Sequence, residues 1–292
     1  MSIENPIYDK IYRNCFSIIE NSSDRNIKRK RERLDREYKK LCETEDYERQ
    51  EFYSIVHELR LYQYIKDLGI TIIAANDNNA GPDFETGIGY IECVSTTKGE
   101  PGTPARLCID ERLNQSVNRY VYALPRLTNS ISEKLERYKY YLDSNKINKS
   151  KPRIIALCTS VFSNEFHSDL NLDLALKILY GIDCRIMRFN MDTNSFIEEP
   201  GVEFHAYKDF AIKPPSNISL PLSYFYKDEY RQISGIIVNN NAITEELNKE
   251  YFCLLLNPLA GIPIDKTKLE GIKYFELDSV DNNYSTFCWR NQ

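Results

Sequence analysis

Apolar residues change their spacing along the first third of the chain, from the period of a helix to that of extended strands. At first they recur three and four residues apart, which predicts an amphipathic helix that ends at Gly69. Beyond Gly69 the apolar segments are short, rich in β-branched side chains and separated by turn residues, which predicts a meander of three strands. The predicted elements are a helix over 51–68 and strands over 70–75, 83–86 and 89–95.

The rest of the chain alternates between helical and extended patterns. Strands that are separated by helical stretches favour an α/β architecture, with a mixed central sheet flanked by helices. The predicted helices cover 107–123, 129–145 and 170–180, and the predicted strands cover 152–159, 184–189, 233–238 and 251–256.

A charged segment precedes these elements, and residues 8–45 read as mostly helical. Between Arg25 and Lys40 there are nine Lys or Arg residues against three acids, and such a stretch can follow a phosphate backbone. The alternative, which we favour for the stretch as a whole, is a solvated helix with ion pairs four residues apart. We divide the chain into a charged helical extension, residues 1–48, and an α/β domain with a C-terminal elaboration, residues 49–292. The candidate nucleic-acid-binding residues are Lys28, Arg29, Lys30, Arg31 and Arg33.

The composition argues against several classes of protein. With 42% hydrophobic residues the chain can bury a sizeable core, so it is not disordered as a whole. No window approaches the roughly 18 consecutive apolar residues of a membrane helix, and no secretory signal is visible, so we expect a cytoplasmic protein with no membrane partner. The eight cysteines include no Cys-x-x-Cys pair and there are only three histidines, which predicts reduced core thiols rather than a zinc site.

Three acidic residues stand out by their context. Asp83 follows the turn residues Gly81-Pro82, immediately before a predicted strand. Glu92 lies inside an apolar strand, on the same face as Val94, where a carboxylate is unfavourable unless it is paired or bound to a metal. Glu58 lies at the border of the apolar stripe of the preceding helix. Carboxylates of this kind hold Mg²⁺ together with water and phosphate oxygens.

Between about residues 51 and 160 the sequence resembles the PD-(D/E)XK nuclease superfamily. The resemblance rests on the helix with Glu58, a strand, Gly81-Pro82-Asp83-Phe84, a short hairpin and Ile91-Glu92-Cys93-Val94. It implies a restriction-endonuclease-like fold with an α-β-β-β-α-β core, behind a charged helical N-terminal extension.

The same resemblance implies a nuclease that hydrolyses DNA phosphodiester bonds, with Mg²⁺ as cofactor and Mn²⁺ as a substitute. In that reading Asp83 and Glu92 are catalytic metal ligands and Glu58 is a supporting acid. DNA is the expected partner in preference to RNA, and a homodimer is expected because many such enzymes pair to cut both strands.

The chain departs from the superfamily pattern at one position. The motif lysine should follow Glu92 by two residues, and that position is Val94. Two residues are candidates for the missing catalytic amine, Lys98 just beyond the strand and Lys134 on the following helical stretch. We favour Lys134, because some members of the superfamily carry the lysine on that helix.

Other interpretations of the same residues stay open. Asp83 would then cap a turn, Glu92 would pair with a buried cation, and Glu58 would lie at the rim of a surface helix. A catalytically degenerate nuclease fold would bind nucleic acid or a protein partner without turnover. A third possibility is an interaction protein whose charged N-terminal region docks a partner.

Overall fold

A computed structural model describes residues 6–44, 50–76, 81–96, 116–159, 168–186, 188–190, 195–197, 204–207, 210–213, 218–239, 247–280 and 285–290. Within these segments the α-helices are α1 (Pro6–Glu20), α2 (Arg25–Thr44), α3 (Gln50–Asp67), α4 (Ser116–Asp143) and α5 (Ser168–Tyr180). The strands are β1 (Ile72–Ala75), β2 (Phe84–Thr86), β3 (Gly89–Ser95), β4 (Arg153–Cys158), β5 (Ile182–Ile186), β6 (Arg188–Asn190), β7 (Ser195–Ile197), β8 (Phe204–Tyr207), β9 (Phe210–Lys213), β10 (Ile218–Pro221), β11 (Gly235–Asn239), β12 (Phe252–Leu256), β13 (Tyr274–Val280) and β14 (Ser285–Arg290).

The central sheet has eight strands in the order β1-β2-β3-β4-β11-β12-β13-β14. Strands β1 to β3 form the predicted antiparallel meander, and β4 lies parallel to β3 and to β11. Helix α4 makes the crossover from β3 to β4, as two parallel neighbours require. The predicted α/β class, with a mixed sheet flanked by helices, is therefore confirmed.

The sheet has a separate apolar core on each face. Ile91 and Cys93 of β3 belong to the core that includes α1, α2 and α3, whereas Tyr90 and Val94 pack in the core that includes α4 and α5. Because side chains alternate along a strand, Glu92 lies on the α4 face of the sheet. Each face thus presents a different helix to the same stretch of β3.

The charged N-terminal helices share the core of α3. Ile27, Leu34 and Leu41 of α2 are fully buried, and the hydroxyl groups of Ser22 and Tyr62 lie 2.8 Å apart. The boundary placed between residues 48 and 49 lies outside the described residues, so the domain division stays a prediction. What the structure does show is that α2 packs where it can contribute side chains to the neighbourhood of Glu58.

Helix α4 corrects the prediction of two helices over 107–123 and 129–145. One helix continues through Pro125, and residues 107–115 lie outside the described part of the chain. A proline inside a helix costs about 3 kcal/mol, because its ring clashes with the preceding turn and it lacks an N–H. The packing of buried residues on both sides of it outweighs that cost. These residues are Ala123, Leu124, Leu127, Ile131, Leu135 and Tyr138.

The structure also bears on the thiols and on membrane insertion. Cys15, Cys93, Cys158 and Cys253 are buried, in agreement with the predicted core role. Among the described helices, none has the length and apolar character needed to cross a membrane.

Candidate active site

The candidate site lies where β3 extends past the start of β2. Phe84, the first residue of β2, pairs with Ile91, so the part of β3 from Glu92 to Ser95 runs beyond the β2 ladder. Continuing the same register places Asp83 opposite Glu92. A polar cavity of about 580 Å³ occupies the gap.

Helices from both faces of the sheet form the walls of this cavity, which we call the notch. The wall on the α3 face includes Lys30, Arg33, Glu51, His57 and Glu58. The wall on the α4 face includes Arg126, Asn129, Ser130, Glu133, Lys134 and Arg137. Between the walls lie Gly81, Asp83, Cys93, Val94 and Ser95. Two of the three predicted acids, Glu58 and Asp83, therefore line one cavity together with the favoured lysine Lys134, and the third acid, Glu92, lies buried behind Lys134.

The side chain of Asp83 accepts the hydrogen bond that a backbone carbonyl of β2 would accept if that strand continued. Its Oδ2 atom accepts a hydrogen bond of 2.6 Å from the backbone N–H of Cys93, the first amide of β3 beyond the β2 ladder. The hydroxyl of Tyr141, on α4, donates to the carbonyl of Gly81 at 3.1 Å and holds the preceding turn. Burial, followed by the charges of Glu92 and Glu58, raises the pKa of Asp83 to about 7. A carboxyl in this position is poised between its two protonation states near neutral pH.

Glu92 is fully buried and paired on one oxygen only. Its Oε1 atom accepts from Lys134 Nζ at 3.1 Å and from Arg137 Nη1 at 2.6 Å. Its Oε2 atom is buried and has no hydrogen-bond partner within the described part of the structure. A buried carboxylate oxygen without a donor is unfavourable by about 1–3 kcal/mol, and more for a charged group.

Arg137 is the residue of this site that the sequence analysis missed. Burial works against its charge, but the hydrogen bond and the charge of Glu92 outweigh that effect and raise the pKa of the guanidinium. The signal was present in the sequence, since residues three apart on a helix share one face and Arg137 follows Lys134 by three. About a third of the Arg137 side chain remains exposed to the notch.

Glu58 is clamped by the N-terminal helix. Lys30 Nζ lies 2.5 Å from Glu58 Oε2 and 3.4 Å from the carbonyl of Asn76, and Arg33 Nη1 lies 3.7 Å from Glu58 Oε1. Lys30 is only 2% exposed, so its ammonium depends on these partners in place of water. Glu58 is accordingly part of the wall of the notch and not a residue on the rim of a surface helix.

The structure separates the five basic residues that were predicted to bind nucleic acid. Lys30 and Arg33 face the notch, whereas Lys28, Arg29 and Arg31 are exposed elsewhere on α2. Arg31 forms a 3.9 Å ion pair with Asp35, four residues further along α2, as the solvated-helix interpretation expects, and a 2.9 Å ion pair with Glu20 of α1. The two interpretations of this stretch thus apply to different faces of one helix.

The structure also distinguishes the two candidate lysines. Val94 lines the notch on the same face of β3 as Glu92, and Lys134 reaches that face from α4. Lys98 lies outside the described residues. The ammonium group of Lys134 therefore lies beside Glu92, on the face of β3 that Val94 shares, and it comes from a different element.

Asp83 lines the notch, and the buried carboxylate of Glu92 lies opposite it across the hairpin. No group of three or more His, Cys, Asp or Glu side chains within the described segments is arranged to hold a metal. Mg²⁺, however, usually binds one or two carboxylates and completes its shell with water and substrate phosphate oxygens. Glu92 Oε2, for which the described residues supply no hydrogen-bond donor, is a carboxylate oxygen of that kind.

Known proteins offer no direct assignment of these residues. Comparisons of the chain with protein-family models, with curated proteins and with solved structures find no match.

Proposed function

We propose that this chain is a Mg²⁺-dependent endodeoxyribonuclease of the PD-(D/E)XK type, with its active site in the notch. The described elements follow the order α3-β1-β2-β3-α4-β4, which is the order of the α-β-β-β-α-β core. Asp83 and Glu92 occupy adjacent positions across the β2–β3 hairpin, as the motif requires of its two acids.

The observation that carries the proposal is the state of Glu92. A fully buried carboxylate that needed only charge neutralisation would be expected to use both oxygens. Here the two cations share Oε1, and no other residue in the described segments provides a hydrogen-bond partner for Oε2. A hard cation on Oε2 would remove that penalty, and Asp83 lies across the hairpin to serve as the second ligand.

The protein's own residues then have distinct roles. When bound, Mg²⁺ would be held by Asp83 and Glu92 and would supply Lewis-acid activation of water and neutralisation of the phosphate. Lys134 places a positive charge beside the acids, which is the task of the missing motif lysine. Arg137 offers a planar, part-exposed guanidinium that suits a phosphate oxygen pair. Glu58, held by Lys30, maintains the shape and charge of the opposite wall.

Cleavage of supercoiled plasmid DNA tests the proposal directly. We expect the wild-type protein to nick or linearise plasmid with Mg²⁺ or Mn²⁺, and Asp83→Asn to lose at least about 100-fold in rate, since both ligand charge and proton balance change. Glu136→Gln, at an exposed acid of α4 that does not line the notch, is the matched control and should retain activity. Equal rates for the wild type and Asp83→Asn would end the proposal.

One observation favours the alternative of binding without turnover. Lys134 and Arg137 already compensate the charge of Glu92 without a metal, so the site is able to exist as an ion-pair cluster alone. Calorimetric titration with Mn²⁺ separates the two functions. Binding that Glu92→Gln abolishes supports the nuclease, whereas DNA binding without any Mn²⁺ binding supports the degenerate fold.

A further inference from the structure

We infer that Arg33 of α2 and Arg126 of α4 bind DNA phosphates that flank the reacting one, so that the substrate strand crosses the notch between these two helices. The inference rests on the proposed nuclease function. It adds to that function a path for the strand and gives the N-terminal helix a part in substrate binding.

The wall on the α4 face is a continuous polar stripe. Its members are spaced three or four residues apart, from Arg126 through Ser130 and Lys134 to Arg137, so they lie on one face of the helix. Eight residues separate Arg126 from Lys134, which at 1.5 Å per residue is about 12 Å along the axis. Successive phosphates of one DNA strand advance only about 3.4 Å along the duplex axis. Arg126 is therefore too far from Glu92 to serve the same phosphate as Lys134.

The wall on the α3 face offers a matching charge. Lys30 is committed to the buried carboxylate of Glu58, but Arg33 is a third exposed and its contacts are long. Its nearest carboxylate atoms are Glu51 Oε2 at 3.4 Å and Glu58 Oε1 at 3.7 Å. Such contacts are weak, and a phosphate that offers a bidentate geometry can replace them. Arg33 and Arg126 thus lie on opposite walls, with Asp83 between the walls.

The charge balance of the notch explains why the flanking cations would act together with the metal. Among the described residues five cations face the cavity, and they are balanced by four lining carboxylates and the buried Glu92. A divalent ion makes this balanced site positive, which favours a phosphate strand. We therefore expect tight DNA binding only when the cation site is filled.

Binding of a fluorescein-labelled 20-base-pair duplex by the full-length protein, with Ca²⁺ in place of Mg²⁺ and the DNA checked to be uncut, tests the path. We expect Arg33→Gln and Arg126→Gln each to weaken binding several-fold on every sequence and to reduce the slope of log K against log salt by about 0.9. Lys28→Gln and Arg29→Gln, on the exposed surface of the same α2, should leave the slope unchanged. Arg126→Lys should restore part of the binding, since it retains the charge without the bidentate geometry.

Several results would overturn the path. One is a salt slope that stays unchanged in folded Arg33→Gln and Arg126→Gln proteins. Another is a loss of DNA affinity in the α2 control variants as large as that in the arginine variants. A third is that the wild type does not bind DNA. Preferential binding of an RNA duplex of the same length would also overturn it. If the path is confirmed but plasmid is not cleaved with Mg²⁺ or Mn²⁺, only the nuclease function fails. If plasmid is cleaved and both arginine variants bind as the wild type does, only the path fails.

Discussion

The Oδ2 atom of Asp83 accepts a hydrogen bond from the backbone N–H of Cys93, with 2.6 Å between the nitrogen and the oxygen. A carboxylate thereby replaces the strand carbonyl that would continue the β2–β3 ladder, and it does so directly across from Glu92. The hydrogen bond favours the ionised form of Asp83, but burial and the two neighbouring acids outweigh it and raise the pKa to about 7. The Asp83 carboxylate therefore holds the end of the hairpin through Cys93, but its negative charge is unfavourable in the folded state.

The first prediction concerns stability against pH. The pKa of Asp83 is about 7 in the folded state and near 3.8 in the unfolded chain, so the unfolded chain releases its proton first as pH rises. The free energy of unfolding should fall between about pH 4 and pH 7 and then level off. Asp83→Asn keeps an acceptor for Cys93 and removes the charge. A rise of about three pKa units corresponds to about 4 kcal/mol, so the variant should be more stable than the wild type by up to that amount at pH 8.

Urea denaturation at pH 4.5 and pH 8, without added divalent cations, checks this prediction. The advantage of the variant should be smaller at the lower pH, where the folded state is still protonated at Asp83 although the unfolded chain is already largely ionised there. A variant that is no more stable than the wild type at pH 8 would show that Asp83 carries no electrostatic strain.

The second prediction concerns the removal of the charge of Glu92. Glu92→Gln keeps the shape of the side chain but leaves Lys134 and Arg137 beside a neutral group, and Lys134 is only 6% exposed. Breaking a buried ion pair from one side costs about 3–5 kcal/mol, so we expect a loss near the lower value because Arg137 reaches solvent. Thermal and urea unfolding of the variant measure the loss. Glu133→Gln, exposed on the same helix, should change stability by less than about 0.5 kcal/mol.

The third prediction concerns the pair on the opposite wall. Lys30→Met leaves Glu58 buried with only the longer contact to Arg33, and should cost about 3 kcal/mol of unfolding free energy. The double variant Lys30→Met with Glu58→Gln should recover much of that loss, because no uncompensated charge remains. Urea denaturation of the two single variants and the double variant gives the coupling energy. If the losses of the two single variants simply add in the double variant, Lys30 and Glu58 do not form a buried pair. Lys28→Met is the exposed control and should change stability little.

The local part of the site could be predicted from the sequence. Asp83 and Glu92 belong to one hairpin, and the apolar pattern around Glu92 determines the face on which its carboxylate lies. The turn at Gly81-Pro82 marks the start of the short strand. Such short-range features depend on strand period and turn chemistry, which one sequence displays.

The partners of the acids could not be predicted in the same way. Lys30 meets Glu58 across 28 residues and Arg137 meets Glu92 across 45, so both contacts depend on how helices dock on the sheet. The sequence shows that α2 is basic but not which of its faces is buried. The break that was predicted between residues 123 and 129 is absent for a similar reason, because packing over several turns outweighs the local preference of Pro125.

The fourth prediction concerns the missing motif lysine. If Lys134 supplies the amine that Val94 lacks, Lys134→Met should reduce plasmid cleavage by at least about 100-fold, since one preorganised charge near the reacting phosphate is worth that much. Val94 lines the notch two residues from Glu92 and on the same face of β3, so a lysine there would reach the same region. Val94→Lys combined with Lys134→Met should therefore recover part of the lost rate. Cleavage rates measured at saturating Mg²⁺, with folding checked by circular dichroism, test this prediction. Full activity in Lys134→Met would assign the catalytic amine to another residue. A folded double variant that recovers no activity would show that Lys134 acts only by positioning Glu92.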